Sequence, residues 1–419
     1  MKKIKLPTRY ILLASTALFT FITYTDRICL STAKSDIMQE LGISITQLGW
    51  IMAAFTFGYA LTQPLYGRVA DKFGPRNVFT FIAASWTIFT ACAGLAWNNV
   101  SLMLARLFLG AGEAGTYPTL SKVTLFWYPI KERGTVQGVN FSGSRLGGAI
   151  ALFLSAWLIG LVGWRSTFLI YASVGLVYTI IWFIIFRNKP EETSYVSEEE
   201  KAYIMANRQQ VVAEQKKLPF SKILKAANMR WAMIQYVGSC FIFFFTLTWM
   251  YPYIKEKFAI DPVNAGLYAA IPLIAGALGN WVSGFVVDTL YRKYSLNISR
   301  KIPAIAGFLL AGFGMFMVVH SSSVGMAIFF LSIAVFGADA TLSPSWAFCI
   351  DIGKQSSGTV GALMNMAGNV GAVITSVSFP YIVKYTGSPV PFFYICIVLA
   401  CVAIFAWSRM DANKPILND

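Results

Sequence analysis

The sequence predicts an all-α membrane protein with twelve transmembrane helices in two six-helix halves. Three observations predict it. Of the 419 residues, 56% are hydrophobic and 13% charged, about half the charge fraction of an ordinary soluble chain. The apolar residues gather in about a dozen runs of about 20 or more, each long enough to cross a ~30 Å hydrocarbon core as a helix. Short motifs of the first half also recur, in the same order, in the second. Twelve spans take up about 250 residues, so little remains for a soluble domain. A soluble enzyme, a secreted disulfide scaffold and a nucleic-acid-binding domain are excluded. The runs are continuous rather than alternating, which argues against a β-barrel.

In chain order the spans fall at 10–32, 47–67, 77–96, 99–121, 134–160, 166–186, 231–254, 264–287, 302–320, 324–349, 358–383 and 389–408. The first follows Lys2, Lys3, Lys5 and Arg9. It is too long for a signal-peptide core and no small-residue cleavage site ends it, so it is a retained span. Lys and Arg then sort by loop. Twenty-six of 34 lie on one side, with the N-terminus, the central loop and the C-terminus; Lys34, Arg165, Lys255, Lys257 and Lys384 lie on the other. This bias places both termini and the central loop in the cytoplasm. The net charge of +15 is therefore a topology signal, not a nucleic-acid signal. The six cysteines lie in or at the ends of apolar runs with no CxxC pair, as small buried hydrophobes do.

Residues 188–229 are the one long polar stretch, dividing the chain into halves 1–187 and 230–419 around a central loop. Ser197 and Glu200 have capping-box spacing, which predicts a short surface helix there. The halves echo each other. Gly67-Arg-Val-Ala-Asp71 follows the second span and Gly284-Phe-Val-Val-Asp288 the eighth; Gly134-Thr-Val opens the fifth and Gly358-Thr-Val the eleventh. At the latter offset Arg145 falls opposite Asn369. A duplicated six-helix unit of this kind is characteristic of secondary transporters.

Gly67-Arg68-Val69-Ala70-Asp71-Lys72-Phe73-Gly74-Pro75-Arg76 resembles the loop motif of the major facilitator superfamily, G-x-x-x-D-[RK]-x-G-[RK], with one extra residue before the last base. Its glycines would let helices pack closely. Its charges would form a cytoplasmic gate that latches one state and releases in another. The gate set is Gly67, Asp71, Lys72, Gly74 and Arg76, with Arg133 as a partner and Gly284 and Asp288 as the second copy.

Six ionisable residues fall inside the spans: Asp26, Arg27, Arg106, Glu113, Arg145 and Asp339. A charge at a helix centre costs about 2.5–3.5 kcal/mol on insertion scales, so it persists for structure or for function. Asp26 and Arg27 point about 100° apart and do not simply cancel. Arg106 and Glu113 share a helix face but stand about 10.5 Å apart along it, so each needs a partner from another helix or a ligand. The six charges sum to zero. An incoming anion makes the region net negative, and protonation of a carboxylate restores the balance. An anion entering an electrically negative cytosol works against ~2.3 kcal/mol per charge per 100 mV, so accumulation needs a co-transported cation. The single His320 lies on a predicted outer loop, which leaves the carboxylates to carry the proton. The competing reading, above all for Arg106 and Asp339, is a buried pair that only fixes helix packing. Gly110-Ala-Gly112-Glu-Ala-Gly115 fits G-x-G-x-x-G, but no strand precedes it and it lies inside an apolar span, so it is not a dinucleotide site. No cofactor or metal site is read from the sequence.

Tyr24-Thr-Asp26-Arg27, Arg106-Leu-Phe-Leu-Gly110-Ala-Gly112-Glu113-Ala, and Ser121 to Trp127 before Pro129 and Glu132-Arg133 resemble the anion:cation symporter branch of that superfamily. The branch includes bacterial hexuronate, glucarate and galactonate transporters and the animal vesicular and lysosomal organic-anion transporters. Tyr291-Arg292-Lys293, Ser295 to Lys301 and Asn365-Met-Ala-Gly368 resemble the sugar-acid members. The resemblance implies that Arg27 binds the substrate carboxylate and that Asp26 and Glu113 couple protons. It implies that Tyr24 and Tyr59 line the site, that Asn365 contacts hydroxyls and that Trp346 supplies an aromatic wall; Asn369 and Arg145 join them as candidates, with Arg106 and Asp339 as secondary ones. Two departures mark the hydroxyl-reading part. Ser144 stands where galactonate-type relatives have Gln, followed by Arg145, and Gln235 is one place out of register. If Arg145 faces the cavity it favours a dianion or a second carboxylate contact.

The resulting expectation is a monomeric, cofactor-free symporter of the bacterial inner membrane. It would move an organic anion, a hexuronate or related sugar acid, together with protons by alternating access. The alternative is another anion (phosphate, tartrate or an aromatic carboxylate) or sodium as the coupling ion. A membrane enzyme would need a catalytic constellation, and the sequence has one His and no H-E-x-x-H. A receptor would need an output domain larger than the central loop. Export of lipophilic cations is disfavoured by three arginines inside the spans.

Overall fold

The computed structural model describes residues 7–209, 218–260 and 262–416, which form helices, turns and loops with no strand among them. Lys2, Lys3, Lys5, Glu214, Lys216 and Lys217 lie outside the described residues, as does the side chain of Asp71. Among the described residues, α-helices build twelve spans. The first is α1 (Thr8–Thr32); a short α2 (Lys34–Leu41) leads to the second, α3 (Ile45–Phe73), and the third is α4 (Pro75–Gly94). The fourth consists of α5 (Asn99–Glu113) and α6 (Thr116–Trp127). The fifth and sixth are the two arms of α7 (Arg133–Ile185), bent at Gly163, whose φ of 78° is one that glycine adopts without strain. The central segment holds α8 (Glu198–Asn207) and α9 (Phe220–Lys225). The seventh span is α10 (Ala227–Thr248) with α11 (Met250–Phe258), the eighth α12 (Pro262–Lys293) and the ninth α13 (Leu296–Val319). The tenth is α14 (Val324–Ala340) with α15 (Leu342–Gly353), the eleventh α16 (Ser357–Thr386) and the twelfth α17 (Val390–Arg409).

Local sequence explains the helix starts. Ser44 and Gln47 form a capping box at α3, Asn98 and Ser101 one at α5, and Ser295 and Ser323 cap α13 and α14. At α8 only half of the predicted box forms. Ser197 accepts from the Glu200 N–H at 3.2 Å, but the Glu200 carboxylate does not fold back. It accepts instead from the Thr8 and Arg9 backbone N–H groups, at 2.8 and 3.1 Å, and from Arg9 Nη1. The central-loop helix thus caps the start of α1, whose orphan N–H groups are a stronger anchor for a carboxylate than its own N-cap.

Large apolar side chains such as Phe57, Leu61, Phe285 and Val398 are exposed along the spans, as lipid-facing residues are. Trp50 and Trp97, at span ends, are the most exposed tryptophans and fit an interfacial aromatic belt. Seven stretches of the described residues are apolar and long enough to cross a membrane on composition alone, and they cover the third and the sixth to twelfth spans. The fourth is broken into two short helices, and the first, second, fourth and fifth carry polar side chains inward: Asp26, Gln63, Arg106, Glu113, Gln137, Asn140 and Arg145 are all buried.

The chain forms two compact units, one of Met1–Ile130, Leu146–Ala213 and Gln355–Ala362, the other of Lys131–Arg145, Glu214–Lys354 and Leu363–Asp419. The opening turns of α7 thus belong with the second unit and those of α16 with the first.

Candidate functional site

In the first unit the adjacent Asp26 and Arg27 take different partners, as their angular separation on a helix requires. Arg27 reaches Glu113, the last residue of α5, and donates Nε and Nη2 to the same oxygen, Oε2, at 2.8 and 2.5 Å. Asp26 turns to α4 and accepts from Thr90 Oγ1 at 3.2 Å. The Arg27 guanidinium carbon lies 4.7 Å from the Tyr24 and Phe55 ring centres and 5.3 Å from that of Tyr59. Such faces hold a cation while leaving its edge available. The Arg27 side chain keeps 22% exposure and Glu113 none. Arg106 stacks on the Phe55 ring at 4.8 Å.

Glycines make this geometry possible. A Cβ at Gly58 would strike the Leu107 carbonyl, and one at Gly110 the Phe55 carbonyl. So α3 and α5 meet backbone to backbone, which presents Phe55 and Tyr59 to the charges of α1 and α5. The Asp26 Oδ1, Glu113 Oε1, Arg106 Nε and Arg106 Nη1 atoms are buried without a hydrogen-bond partner among the described residues. Unmet capacity of this kind is unusual in a packed interior.

The second unit holds another pair. Arg145 donates Nε to one Asp339 oxygen and Nη2 to the other, both at 2.8 Å. Its guanidinium carbon lies 3.6 Å from the Phe243 ring centre. Phe141, one turn earlier, meets the Trp346 ring at 5.9 Å, and Trp346 donates Nε1 to the Tyr236 hydroxyl at 2.9 Å. Trp346 is fully buried, and Asn365 and Asn369 nearly so. The Ser144 hydroxyl is spent on the Phe141 carbonyl. Gln235 accepts from Trp407 and Ser345, consistent with a side chain turned into helix packing by its shifted register.

The motif residues have structural roles. Gly74 has φ 77°, a turn between α3 and α4 that suits glycine, and Arg76 donates its N–H to Asn188 and its guanidinium to the Phe183 carbonyl. Lys72 is exposed over the Phe73 ring. A Cβ at Gly67 would lie 2.8 Å from the Gly358 carbonyl, and one at Gly284 would lie 2.5 Å from that of Gly134, so each copy packs on the Gly-Thr-Val start of another helix. Asp288 accepts from the Gly134 and Thr135 N–H groups at 2.8 and 2.7 Å, at the N-terminus of α7. Arg133 donates to Asp351 Oδ1 at 2.6 Å, while Arg300 donates to Oδ2 at 2.8 Å. Sequence reasoning missed this buried triad because the tenth span was ended before Asp351 and Arg300 was counted as a loop cation. The Ser295 cap, which puts Arg300 inside α13, was the signal that could have placed it.

A family model described as Major Facilitator Superfamily matches residues 16–376. The chain belongs to the major facilitator superfamily. It is a multi-pass membrane transporter, not an enzyme. It is 31% identical over 394 residues to a probable sulfoacetate transporter of Cupriavidus necator, covering 92% of this chain and 90% of the relative. It is 30% identical to a probable galactarate/D-glucarate transporter of Escherichia coli, covering 91% and 88%, and 28% identical to a hexuronate transporter of Bacillus subtilis, covering 94% and 93%. The solved proton:xylose symporter of the same superfamily matches with a TM-score of 0.71 at 15% identity, covering 96% of this chain and 95% of that one. That likeness establishes the twelve-span fold.

Proposed function

We propose that this protein is a proton-coupled symporter of a small organic anion, with sugar acids such as hexuronates as the first substrate class. It works by alternating access in a bacterial inner membrane, as a monomer with both termini cytoplasmic. One observation carries the reading: a mostly buried arginine with one exposed edge, caged by three aromatic rings and held by a buried glutamate that still has an uncommitted oxygen. Arg27 anchors the substrate carboxylate. When Glu113 takes a proton its hold on Arg27 weakens, and the guanidinium becomes available to the incoming anion, so proton and anion bind together with no net change in buried charge. Asp26 and Arg106 are the reserve of the same device. Tyr24, Tyr59, Trp346, Asn365 and Asn369 supply rings and hydroxyl-reading amides, and the residues of the glycine–aspartate motifs gate the cytoplasmic side. Relatives named for hexuronate, galactarate/D-glucarate and sulfoacetate support a carboxylate substrate, and the loop distribution of Lys and Arg supports the orientation.

The test is uptake of radiolabelled glucuronate into proteoliposomes under an inward proton gradient, with and without a collapsing ionophore. Ionophore-sensitive accumulation is expected. Glu113→Gln and Asp26→Asn are expected to abolish accumulation, and at least one of them should retain counterflow exchange. Uptake driven by a sodium gradient and indifferent to the ionophore would replace the proton with sodium. Normal accumulation in both variants would overturn the coupling assignment.

A further inference from the structure

Two guanidinium groups of the first unit rest on one ring. The Arg27 carbon lies 4.7 Å and the Arg106 carbon 4.8 Å from the ring centre of Phe55. Phe55 and Arg106 are both buried. Backbone contacts hold the ring in place. A Cβ at Gly110 would strike the Phe55 carbonyl, and Thr62, two turns after Phe55 on α3, donates to the Ala111 carbonyl at 3.0 Å. Gly110 stands one turn after Arg106 and one turn before Glu113, on the face those two share. Phe55 therefore meets α5 between a cation and a carboxylate that would otherwise attract each other along one helix.

The result is a division of partners. Arg27 gives Nε and Nη2 to Glu113. Arg106 lies in the field of Asp26, which accepts from Thr90. Its Nε and Nη1 meet no acceptor among the described residues, and neither does Glu113 Oε1 meet a donor. A cation and a carboxylate on one helix face, each with unused capacity, stay apart while the guanidinium is held against the ring face.

We infer that Phe55 is a positioning residue for coupling: by carrying both guanidinium groups it keeps Arg106 with Asp26 and off Glu113, so that Glu113 answers to Arg27 alone. The inference rests on the roles of Arg27 and Glu113 in the proposed function. There the anion gains Arg27 when Glu113 takes a proton. That exchange is strict only while Glu113 has a single cation to release. Arg106 and Glu113 are about 10.5 Å apart along the helix axis, a gap their two long side chains can close. Without the ring face, Arg106 turns its idle donors to the open Glu113 oxygen. Glu113 then keeps a cation without Arg27, Arg27 receives the anion with no proton bound, and anion and proton movement come apart.

The experiment removes the face and keeps the bulk. Phe55→Leu and Phe55→Met lack the ring, and Phe55→Tyr retains it. Glucuronate accumulation under an inward proton gradient and glucuronate counterflow without a gradient are measured in proteoliposomes. Phe55→Leu is expected to lower accumulation roughly tenfold further than it lowers counterflow. Phe55→Tyr is expected to return the ratio of the two to the wild-type value. Phe55→Met gives the same reading where Phe55→Leu is not recovered folded. A wild-type ratio in the ring-less variants overturns the inference, as does loss of both activities together, which a ring needed only for packing would produce. A Phe55→Tyr ratio as low as that of Phe55→Leu also overturns it. Each of these leaves the proposed function standing. A wild type without ionophore-sensitive accumulation overturns the proposed function, and the inference with it.

Discussion

Two arginine–carboxylate pairs, one in each unit, are built from similar parts and end in different states. Glu113 and Asp339 both lie where the fourth helix of a half gives way, before the breaks at 114–115 and at Thr341. Each is held by an arginine over aromatic rings. The Arg27–Glu113 pair is lopsided. One oxygen takes both N–H groups, the other takes none, and the arginine keeps an exposed edge. The Arg145–Asp339 pair is closed, with both oxygens matched and both side chains almost fully buried. Buried ion pairs become useful when they have somewhere else to go. The first has spare capacity and an open face, which suits exchange with a ligand; the second is satisfied in place, which suits a fixed packing element.

The largest effect expected from this contrast is on stability. Asp339→Ala should lose about 3–5 kcal/mol in the unfolding of the detergent-solubilised protein, because it leaves Arg145 buried without its carboxylate. Glu113→Ala should lose less, since Arg27 can turn its exposed edge to water. The reverse order in a denaturation series would break the contrast. Transport should respond the other way. Arg27→Gln should lower kcat/KM for glucuronate roughly 100-fold, and Arg27→Lys should not restore it, because a point charge cannot replace the planar fork. Near-normal uptake by Arg27→Gln would remove the anchor.

Gly276→Ala tests the closed pair from its neighbour. The new methyl would press on Asp339 and stand 3.0 Å from Val335 Cγ1, at an expected loss of about 1–3 kcal/mol. A thermal unfolding curve superimposable on that of the wild type would mean the carboxylate is not held as described. The smallest effect belongs to an exposed pair of the first unit. Hydrogen bonds from Arg165 and Trp164 hold the Glu40 carboxyl below its ordinary range. A depressed carboxyl stabilises the fold above its unfolded pKa, about 4.3, and that contribution is lost as pH falls through the lower folded value. With both side chains substantially exposed, solvent screening keeps it to at most about 1 kcal/mol. Glu40→Gln should therefore lower stability at neutral pH by no more than that amount, with the difference from the wild type vanishing as pH falls through the lower folded value, so that the acid limb is slightly flatter.

Much of the fold was legible because its signal is local. Hydrophobic runs gave twelve spans to within a few residues at most ends, and the Ser and Asn caps explain where several helices start. The interruptions in the fourth, seventh and tenth spans were not legible, since nothing in hydropathy separates two consecutive apolar helices from one. For the site, the angular argument that Asp26 and Arg27 must take separate partners held, as did the need of Glu113 for a partner on another helix. The identity of those partners was not available. Arg27 and Glu113 are 86 positions apart and Arg145 and Asp339 are 194 apart. Arg300 and Asp351 escaped because each lay at the edge of an apolar run, where a buried charge and a loop charge look alike.

The sequence by itself determined that this is a membrane transporter of the major facilitator superfamily, with charges placed where they are expensive. Those conclusions need only composition, period and short motifs, which act within a few turns of chain. Which charge meets which, and whether a pair is open or closed, was decided by the tertiary structure alone. Ion pairing falls off over a few ångströms in a dry interior, and only helix packing, here through Gly58, Gly110 and Gly276, brings faces from distant parts of the chain within that range.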